Sequence, residues 1–420
     1  MKLSHGLGMT GLGLVGAALA VVGFSMTGVG CSSSTSSGSS SSGGSGDTCA
    51  NASNACVVQP AAPSGGSPKS GSHNYAIHTL YLGDTDRTGV TNSAAWKDYG
   101  YNLDNLVTAK ACDSKTSPPK CSNDVCTLTA GAAGITQVDG NGGIDNSFGE
   151  NILPIVITTA GSDAAARINT SINDGAFTIM TYVTGFDDSA MNTSSATGLS
   201  GILLAGGSYA SAHDGGAPTW DPTTHWPIVP TIMNGCNAMT GCGTGCTYGS
   251  AAGACAVDPV KAATVTFPSA YQAGGTFVNG SPSTLSLNLS IGGQSLSINV
   301  HSALITFKPK AVGSITDGTI AGVLITSELV SALQSVAGNI STSLCSGSAF
   351  QSIAQQIEQA SDIVIDGSSG SVSNSAGAMC NGISIGLGFE GTEVAAPTSS
   401  DIEGVTMGAP NPCADAGGGD

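Results

Sequence analysis

Charged side chains are scarce in this sequence. Asp, Glu, Lys and Arg make up 9% of its 420 residues, where about 25% is usual for a soluble globular domain. The 11 Lys and Arg residues are outnumbered by 28 Asp and Glu residues, and they form no cluster. Since a nucleic-acid partner calls for a basic patch, the composition argues against nucleic acid. Gly, Ser, Thr, Asn and Ala are expected to form most of the surface.

Long apolar runs are also missing, apart from one at the start of the chain. Residues 7–24 are almost wholly Gly, Ala, Val, Leu and Met. No other run approaches the roughly 20 residues of a transmembrane helix. A short polar start, an apolar stretch and a small-residue run predict a secretory signal peptide over residues 1–30.

The end of this segment carries a second signal. Residues 27–30, Thr-Gly-Val-Gly, precede Cys31 and resemble the lipobox of bacterial lipoproteins, in which the Cys is lipidated and becomes the mature N-terminus. Gly28 stands where Leu is usual in that family. The alternative is ordinary cleavage near Gly30, with Cys31 as one more disulfide partner.

The stretch that follows has the composition of a tether. Residues 32–47, SSSTSSGSSSSGGSGD, contain no apolar side chain and cannot build a core. Residues 31–47 are therefore predicted to hold an exported domain, residues 48–420, away from a membrane to which lipid on Cys31 anchors it. Ser32, rather than Asp, follows Cys31, which by the sorting rule of such lipoproteins favours the outer membrane.

The chain has 13 cysteines, and assigning Cys31 to lipid leaves 12. An even number in an exported protein predicts up to six disulfides, whose connectivity the spacing leaves open. The predicted disulfide cysteines are Cys49, Cys56, Cys112, Cys121, Cys126, Cys236, Cys242, Cys246, Cys255, Cys345, Cys380 and Cys413. A zinc site at Cys236, Cys242, Cys246 and Cys255 is the alternative for the Cys-rich excursion at 232–258, although their spacing matches no familiar zinc knuckle.

Hydrophobic periodicity predicts a mainly β fold. Leu285, Leu287 and Leu289 alternate with polar residues, and the alternation resumes after Gly292-Gly293, which predicts a hairpin. Helical spacing predicts one helix near 152–172 and two near 327–363. We expect an antiparallel β-sandwich-like, disulfide-rich domain with these helices inserted.

One loop suggests a metal. VDGNGGIDNSFGENILP, residues 138–154, places several oxygen-bearing side chains in a Gly-rich run. Its 12-residue core has the length of an EF-hand loop, but Gly143 and Ile144 break the ligand order. The sequence predicts a structural calcium site that draws on two loops, with the ligands Asp84, Asp86, Asp139, Asn141 and Asp145. Asn102 and Asp104 offer further oxygen atoms. The alternative is that turns and a helix cap account for these residues.

Exposed aromatic side chains suggest ligand binding. Trp220 and Trp226 lie in a Pro-rich loop beside Asp and His, an arrangement that suits stacking on a sugar. The alternative is that both rings pack beneath the loop.

Evidence for catalysis is weak, and no catalytic residue is assigned. Gly382-Ile383-Ser384-Ile385-Gly386 matches the nucleophile-elbow pattern, but the alternation through Ser384 predicts an uninterrupted strand. The His73–His78 pair, and His213 with His225, are more typical of surface histidines than of zinc ligands or a triad. The carboxylate pairs Asp187–Asp188 and Glu390–Glu393 would suit a glycosidase only if they faced each other.

With Cys31, YLGDTDRTGVTNSAAWKDYGYNLDNL, DGNGGIDNSFGENILPI and CNGISIGLGFEGTEV in view, the chain resembles a group of predicted lipoproteins from myxobacteria. The resemblance implies export and anchoring, and it carries over no activity. We therefore expect a lipoprotein that binds a carbohydrate or an envelope protein, or scaffolds at the cell surface. An exported hydrolase acting on polysaccharide is the alternative, and a purely structural envelope component is a third reading.

Overall fold

The computed structural model describes residues 56–108, 125–128, 137–160, 164–189, 193–234, 236–237, 241–242, 257–291, 294–340, 345, 348–367, 370–375, 377–404 and 413. The signal segment, Cys31 and the Ser-rich tether lie outside these residues. Among the helices in the described ranges, none combines the length and the apolar character needed to cross a membrane.

Strands dominate the described residues. The strands are β1 Ser72–Tyr81, β2 Thr178–Thr184, β3 Ala196–Gly206, β4 Cys236–Asn237, β5 Gly241–Cys242, β6 Val265–Ala273, β7 Thr276–Val278, β8 Ser283–Ile291, β9 Gln294–Ala311, β10 Ser314–Ile325, β11 Val364–Ile365, β12 Val372–Ser373 and β13 Gly382–Val394. The expected hairpin around Gly292-Gly293 is formed by β8 and β9.

Helices cover one part of the sheet. The α-helices are α1 Leu153–Ala160, α2 Ala164–Asn173, α3 Tyr209–Ala212, α4 Pro259–Ala262, α5 Thr326–Ile340 and α6 Ser348–Gln359. The short helices are a π-helix at Phe148–Ile152 and 3-10 turns at Ala95–Asp98, Pro230–Ile232 and Ser399–Asp401. The helix expected near 152–172 is thus α1 and α2, and the pair expected near 327–363 is α5 and α6.

The expected β-sandwich is wrong. The sheet order is β10-β13-β1-β2-β3-β6-β7-β9, and β10 also pairs with β9, so eight antiparallel strands close into a barrel, with β8 as an extra strand on β9. Closure pairs the two outer strands of this eight-stranded set, β10 and β9, with each other. Alternating strands line one apolar face in a sandwich and in a barrel alike, so the sequence pattern could not separate the two folds.

Aromatic rings fill the barrel interior. Phe277 and Phe307 stack with ring centroids 4.5 Å apart, and Phe186 packs edge-on to Phe307 at 5.3 Å. Phe389 and Tyr75 extend the same cluster, and all five side chains are buried. The barrel interior around these rings is therefore a packed hydrophobic core.

One part of the barrel wall is not formed by paired strands. β1 stops pairing with β13 at Tyr81 and Gly388, although β13 extends six residues farther, to Gly382. We call residues 382–387, on the side facing β1, the seam. There the side chain of Asn146 takes the place of a strand: its Oδ1 accepts from the Gly386 N–H at 3.0 Å, and its Nδ2 lies 3.1 Å from the Gly386 carbonyl oxygen.

The same amide fixes two more segments. Asn146 Nδ2 lies 3.0 Å and 3.1 Å from the carbonyl oxygens of Trp96 and Tyr99, so its two N–H bonds are shared among three acceptors. Its Oδ1 also accepts from Gly149 N–H at 3.0 Å, at the start of the π-helix. A Cβ at Gly386 would lie 2.1 Å from the Tyr99 oxygen, so this close approach requires glycine.

Replacing Asn146 by Ala is expected to lower the free energy of unfolding by about 3 kcal/mol or more, because several buried backbone groups lose their partner at once. Urea denaturation of the Asn146→Ala and Asn141→Ala variants measures the effect. Asn141 is exposed in the same loop and bonds only the Asp98 side chain through its amide, at 2.6 Å, so its loss should cost under about 1 kcal/mol. Equal losses in the two variants would show that Asn146 does not hold the seam.

Candidate functional site

Four carboxylates come together behind the seam, and we call them the acidic cluster: Asp104, Asp139, Asp145 and Asp362. Asp145 is 3% exposed, and its Oδ2 accepts from Leu103 N–H at 2.6 Å. Asp139 Oδ2 accepts from Thr108 N–H at 2.5 Å. The Asp139 and Asp145 carboxyls lie close enough to influence each other's protonation.

Asp362 joins this cluster to the barrel. Ser384 N–H donates to Asp362 Oδ1 at 2.8 Å, and the Ser384 hydroxyl donates to Oδ2 of the same carboxylate. Ser147 N–H in turn donates to Ser384 Oγ at 2.9 Å. β13 runs uninterrupted through Ser384, which confirms the strand predicted there. The central serine of the elbow-like motif thus has a structural role, because it ties the loop to the seam.

Burial controls the protonation of these groups. Desolvation is the largest influence on each, and the neighbouring carboxylates add to it for Asp139, Asp145 and Asp362. It raises the pKa of Asp139 to about 8 and the pKa of Asp362 to about 7. The pKa of Asp145 lies well above its ordinary value, and the pKa of Asp104 is also raised. At neutral pH the cluster therefore needs protons or a cation.

Buried oxygen atoms in and beside the cluster are candidate ligands for a cation. Thr108 Oγ1, whose residue is 9% exposed, is buried and has no hydrogen-bond partner among the described residues. The Asp104 carboxylate accepts from Leu106 N–H at 2.8 Å and lies beside the Asn374 side chain. Thr108 and Asp362 line one cavity of about 10 Å³ beside the disulfide of Cys126 and Cys380. That is about the space of one water molecule. Carboxylate and hydroxyl oxygens are hard ligands of the kind that calcium takes at about 2.3–2.6 Å.

The predicted calcium ligands lie in different parts of the structure. Asp139 and Asp145 belong to the cluster, and the charges that act on them are those of Asp104 and Asp362, not those of the Asp84 and Asp86 loop. Asp86 Oδ1 accepts from Thr88 and Val90 in a local turn, the alternative that the sequence leaves open. Asn141 bonds Asp98. Asp104 is one of the further oxygen donors that the sequence offers, whereas Asp362 gives no sequence signal and was missed.

The two tryptophans lie in one aromatic group but differ in access. Trp226 is 2% exposed and donates its Nε1–H to the Gly207 carbonyl at 2.9 Å. Trp220 is half-buried, with its ring centroid 5.0 Å from that of Trp226. Its φ of +55° is a strained value for a large side chain. Of the two, only Trp220 presents part of a ring to a ligand in this conformation.

The suggested carboxylate pairs do not face each other. Glu390 and Glu393 are three residues apart in a strand, which places them on opposite faces. Glu390 bonds Lys310 at 3.0 Å, whereas Glu393 lies 2.9 Å from the His73 ring. Asp187 binds Ser189, and its neighbour Asp188 accepts from a backbone N–H on another loop.

Disulfides join distant parts of the described chain. Cys126 is bonded to Cys380 and Cys345 to Cys413, and Cys56 is also disulfide-bonded. Cys236 and Cys242 are opposite each other in the backbone register of β4 and β5. The remaining predicted disulfide cysteines lie outside the described residues: Cys49, Cys112, Cys121, Cys246 and Cys255.

Comparison with known proteins adds no relative. No protein-family model matches the chain, and no curated protein or solved structure matches it either. Its function must therefore be argued from the site.

The acidic cluster makes the metal-free protein less stable as pH rises. Unfolded Asp side chains lose their protons near pH 4, whereas native Asp362 and Asp139 retain theirs to about pH 7 and about pH 8 because burial raises the pKa of each. Between these values the native state binds more protons, so the free energy of unfolding falls with rising pH. In chelator, we expect the melting temperature to drop by about 5 °C or more between pH 5 and pH 8.

The Asp139→Asn variant should reduce this slope, because the amide cannot titrate. Asp317→Asn is the matched control, since Asp317 is half-exposed and pairs with Lys308 at the surface. A slope that is the same in the wild type and in both variants would contradict the assignment to the cluster.

Proposed function

We propose that this chain is an exported lipoprotein whose calcium-stabilised β-barrel acts as a binding or scaffolding module at the cell surface. Lipid on Cys31 would anchor it in the outer membrane, and the Ser-rich tether would hold the barrel clear of the lipid. The lipobox-like segment, the resemblance to predicted lipoproteins and the disulfides support export.

The acidic cluster is the observation that carries this proposal. Within the described part of the chain, the charges that act on Asp139, Asp145 and Asp362 are those of other carboxylates. Buried negative charges of this kind are costly unless protons or a cation neutralise them. Calcium sites of extracellular modules bind in the range of about 10⁻⁴–10⁻³ M, which suits a protein outside the cell. The ion would link the loop, the segment around Asp104 and the seam, so its role is structural.

A binding or scaffolding role fits the geometry better than hydrolysis of polysaccharide. The carboxylates of the cluster act on one another's charge, but the cavity that Asp362 lines, at about 10 Å³, is far too small for a sugar ring. The interior of the barrel is occupied by phenylalanine rings. A half-buried Trp220 at the surface, and an apolar cavity of about 250 Å³ between Phe177 and Val229, are better suited to a carbohydrate or an envelope protein partner.

Calcium is expected to raise the melting temperature of the chelator-treated protein by about 3 °C at pH 7.5, because binding to the native state alone adds about 2.7 kcal/mol at a hundredfold excess over Kd. Differential scanning calorimetry measures the shift. Asp145→Asn and Asp104→Asn should each abolish most of it, since both remove a ligand from the cluster.

Asp86→Asn is the matched control, because Asp86 bonds only its own turn and should leave the calcium response intact. A response lost in Asp86→Asn and kept in Asp145→Asn would place the ion in the other loop. A melting temperature that calcium does not move would overturn the calcium proposal.

Mass spectrometry of the mature N-terminus tests the anchor. Expressed in a bacterial host, the protein should carry acyl chains on Cys31 and sediment with outer membranes, because two or more chains give stable anchoring. Cys31→Ser should be released into the soluble fraction, and Ser32→Asp should move to the inner membrane. An unmodified N-terminus on the wild type would refute lipidation and leave the barrel proposal standing.

A further inference from the structure

A histidine and two carboxylates meet at the barrel end where β1 begins and β13 ends. His73 Nδ1 lies 2.9 Å from Glu393 Oε1 and 3.8 Å from Asp188 Oδ2. One ligand atom from each of the three side chains lies within 4.8 Å of the other two. Their side chains are 14–22% exposed, so an ion can reach them from solvent.

The spacing fits one ion with little adjustment. A tetrahedral zinc ion bound at about 2.1 Å holds its ligands about 3.4 Å apart, between the two distances measured from His73. The group is also separate from the acidic cluster. Glu393 is nine residues beyond Ser384 on β13, about 30 Å at a rise of roughly 3.3 Å per residue.

The surrounding residues hold these ligands in place. Gly313 N–H donates to Asp188 Oδ2 at 3.0 Å, and Tyr75 Oη lies 3.4 Å from the same oxygen. Buried Gln272 accepts from Asp187 N–H at 3.2 Å and donates to Asp187 O at 2.9 Å, which fixes the backbone next to Asp188. Outer-shell contacts of this kind orient metal ligands.

The histidine ring is also supported. His73 stacks on Tyr75, with ring centroids 5.7 Å apart and an interplanar angle of 16°. Tyr75 is anchored in the aromatic core through Phe186 and Phe307. The imidazole is therefore held with Nδ1 toward the two carboxylates before any ion arrives.

Charge distinguishes this group from the other histidine contacts. His225 pairs with Asp401 at 3.2 Å and His301 with Glu328 at 2.9 Å, so each of these rings faces one carboxylate, which a proton on the ring would balance. His73 faces two carboxylates, and a proton on its ring leaves one negative charge unbalanced. A divalent ion with a neutral imidazole balances both.

We propose that His73, Asp188 and Glu393 form a site for a divalent first-row transition metal of the zinc type. An imidazole nitrogen favours such ions over calcium, which takes oxygen ligands. Three protein ligands leave a fourth position open to water or another exchangeable ligand, as in zinc sites that are not closed by the protein. Since the two carboxylates neutralise the ion, this fourth ligand is expected to be neutral.

Isothermal titration of the metal-stripped full-length protein with Zn²⁺ tests the site. Saturating calcium in the buffer occupies sites made only of oxygen ligands. Zinc binding then reports the site that contains the His73 nitrogen. The wild type should bind one equivalent, and His73→Ala should lower the affinity at least tenfold. Glu393→Gln, which keeps the shape of the side chain, should also lower the zinc affinity at least tenfold. This variant provides the test if His73→Ala does not fold.

His225→Ala and His301→Ala are the matched controls, since each removes a histidine with only one carboxylate, and both should bind zinc as the wild type does. Co²⁺ as a spectroscopic probe should give visible absorption that His73→Ala loses. No uptake by the wild type would overturn the proposal. Uptake of equal affinity in Glu393→Gln and the wild type would also overturn it, because the metal would then be held elsewhere, for instance by cysteines.

Discussion

The hydrogen bonds of one amide side chain, Asn146, determine how this barrel can close. Along the seam, every second residue of β13 points its backbone N–H and C=O groups toward the space that β1 does not reach. Gly388 meets β1, Gly386 meets the amide of Asn146, and Ser384 N–H meets the carboxylate of Asp362. Gly382 completes the row through backbone bonds to Ile363. Side chains thus replace a strand in a part of the wall where buried backbone groups must be paired.

This solution places negative charge in the interior. An amide both donates and accepts, and so it replaces a strand residue fully, whereas the carboxylate of Asp362 only accepts when ionised. Asp145 adjoins Asn146 in the chain and is carried into the same buried region, where it meets Asp139. The loop that closes the seam therefore also gathers the carboxylates. A calcium ion would remove the conflict between closure and charge.

Local features of the fold were predictable, and long-range ones were not. Alternation located the hairpin of β8 and β9, and helical spacing located α5 and α6. The choice between sandwich and barrel depends on whether β10 also pairs with β9, which no local pattern records. Two of the five proposed calcium ligands do meet, because they are close in sequence. Their partner Asp362 is more than 200 residues away and gave no motif.

The proposed metal site of His73, Asp188 and Glu393 also depends on long-range contacts that the local sequence does not predict. The sequence sets His73 beside His78, but the fold places it against Asp188 and Glu393 on other elements. For Trp226, in contrast, the sequence suggested a ligand-binding residue that the fold buries. Its position in a polar, Pro-rich loop suggested exposure, yet its indole N–H finds the Gly207 carbonyl and the ring is buried. Such side-chain contacts form only in the closed barrel, so the local sequence does not predict them.

Amide hydrogen exchange along β13 tests most directly whether the acidic cluster and the seam are one unit. If they are, calcium should slow the exchange of the Ser384 and Gly386 amides, which are bonded to Asp362 and Asn146, and should leave the amide of exposed Gly198 unchanged. Equal exchange rates at Ser384 and Gly386 with and without calcium would contradict this coupling.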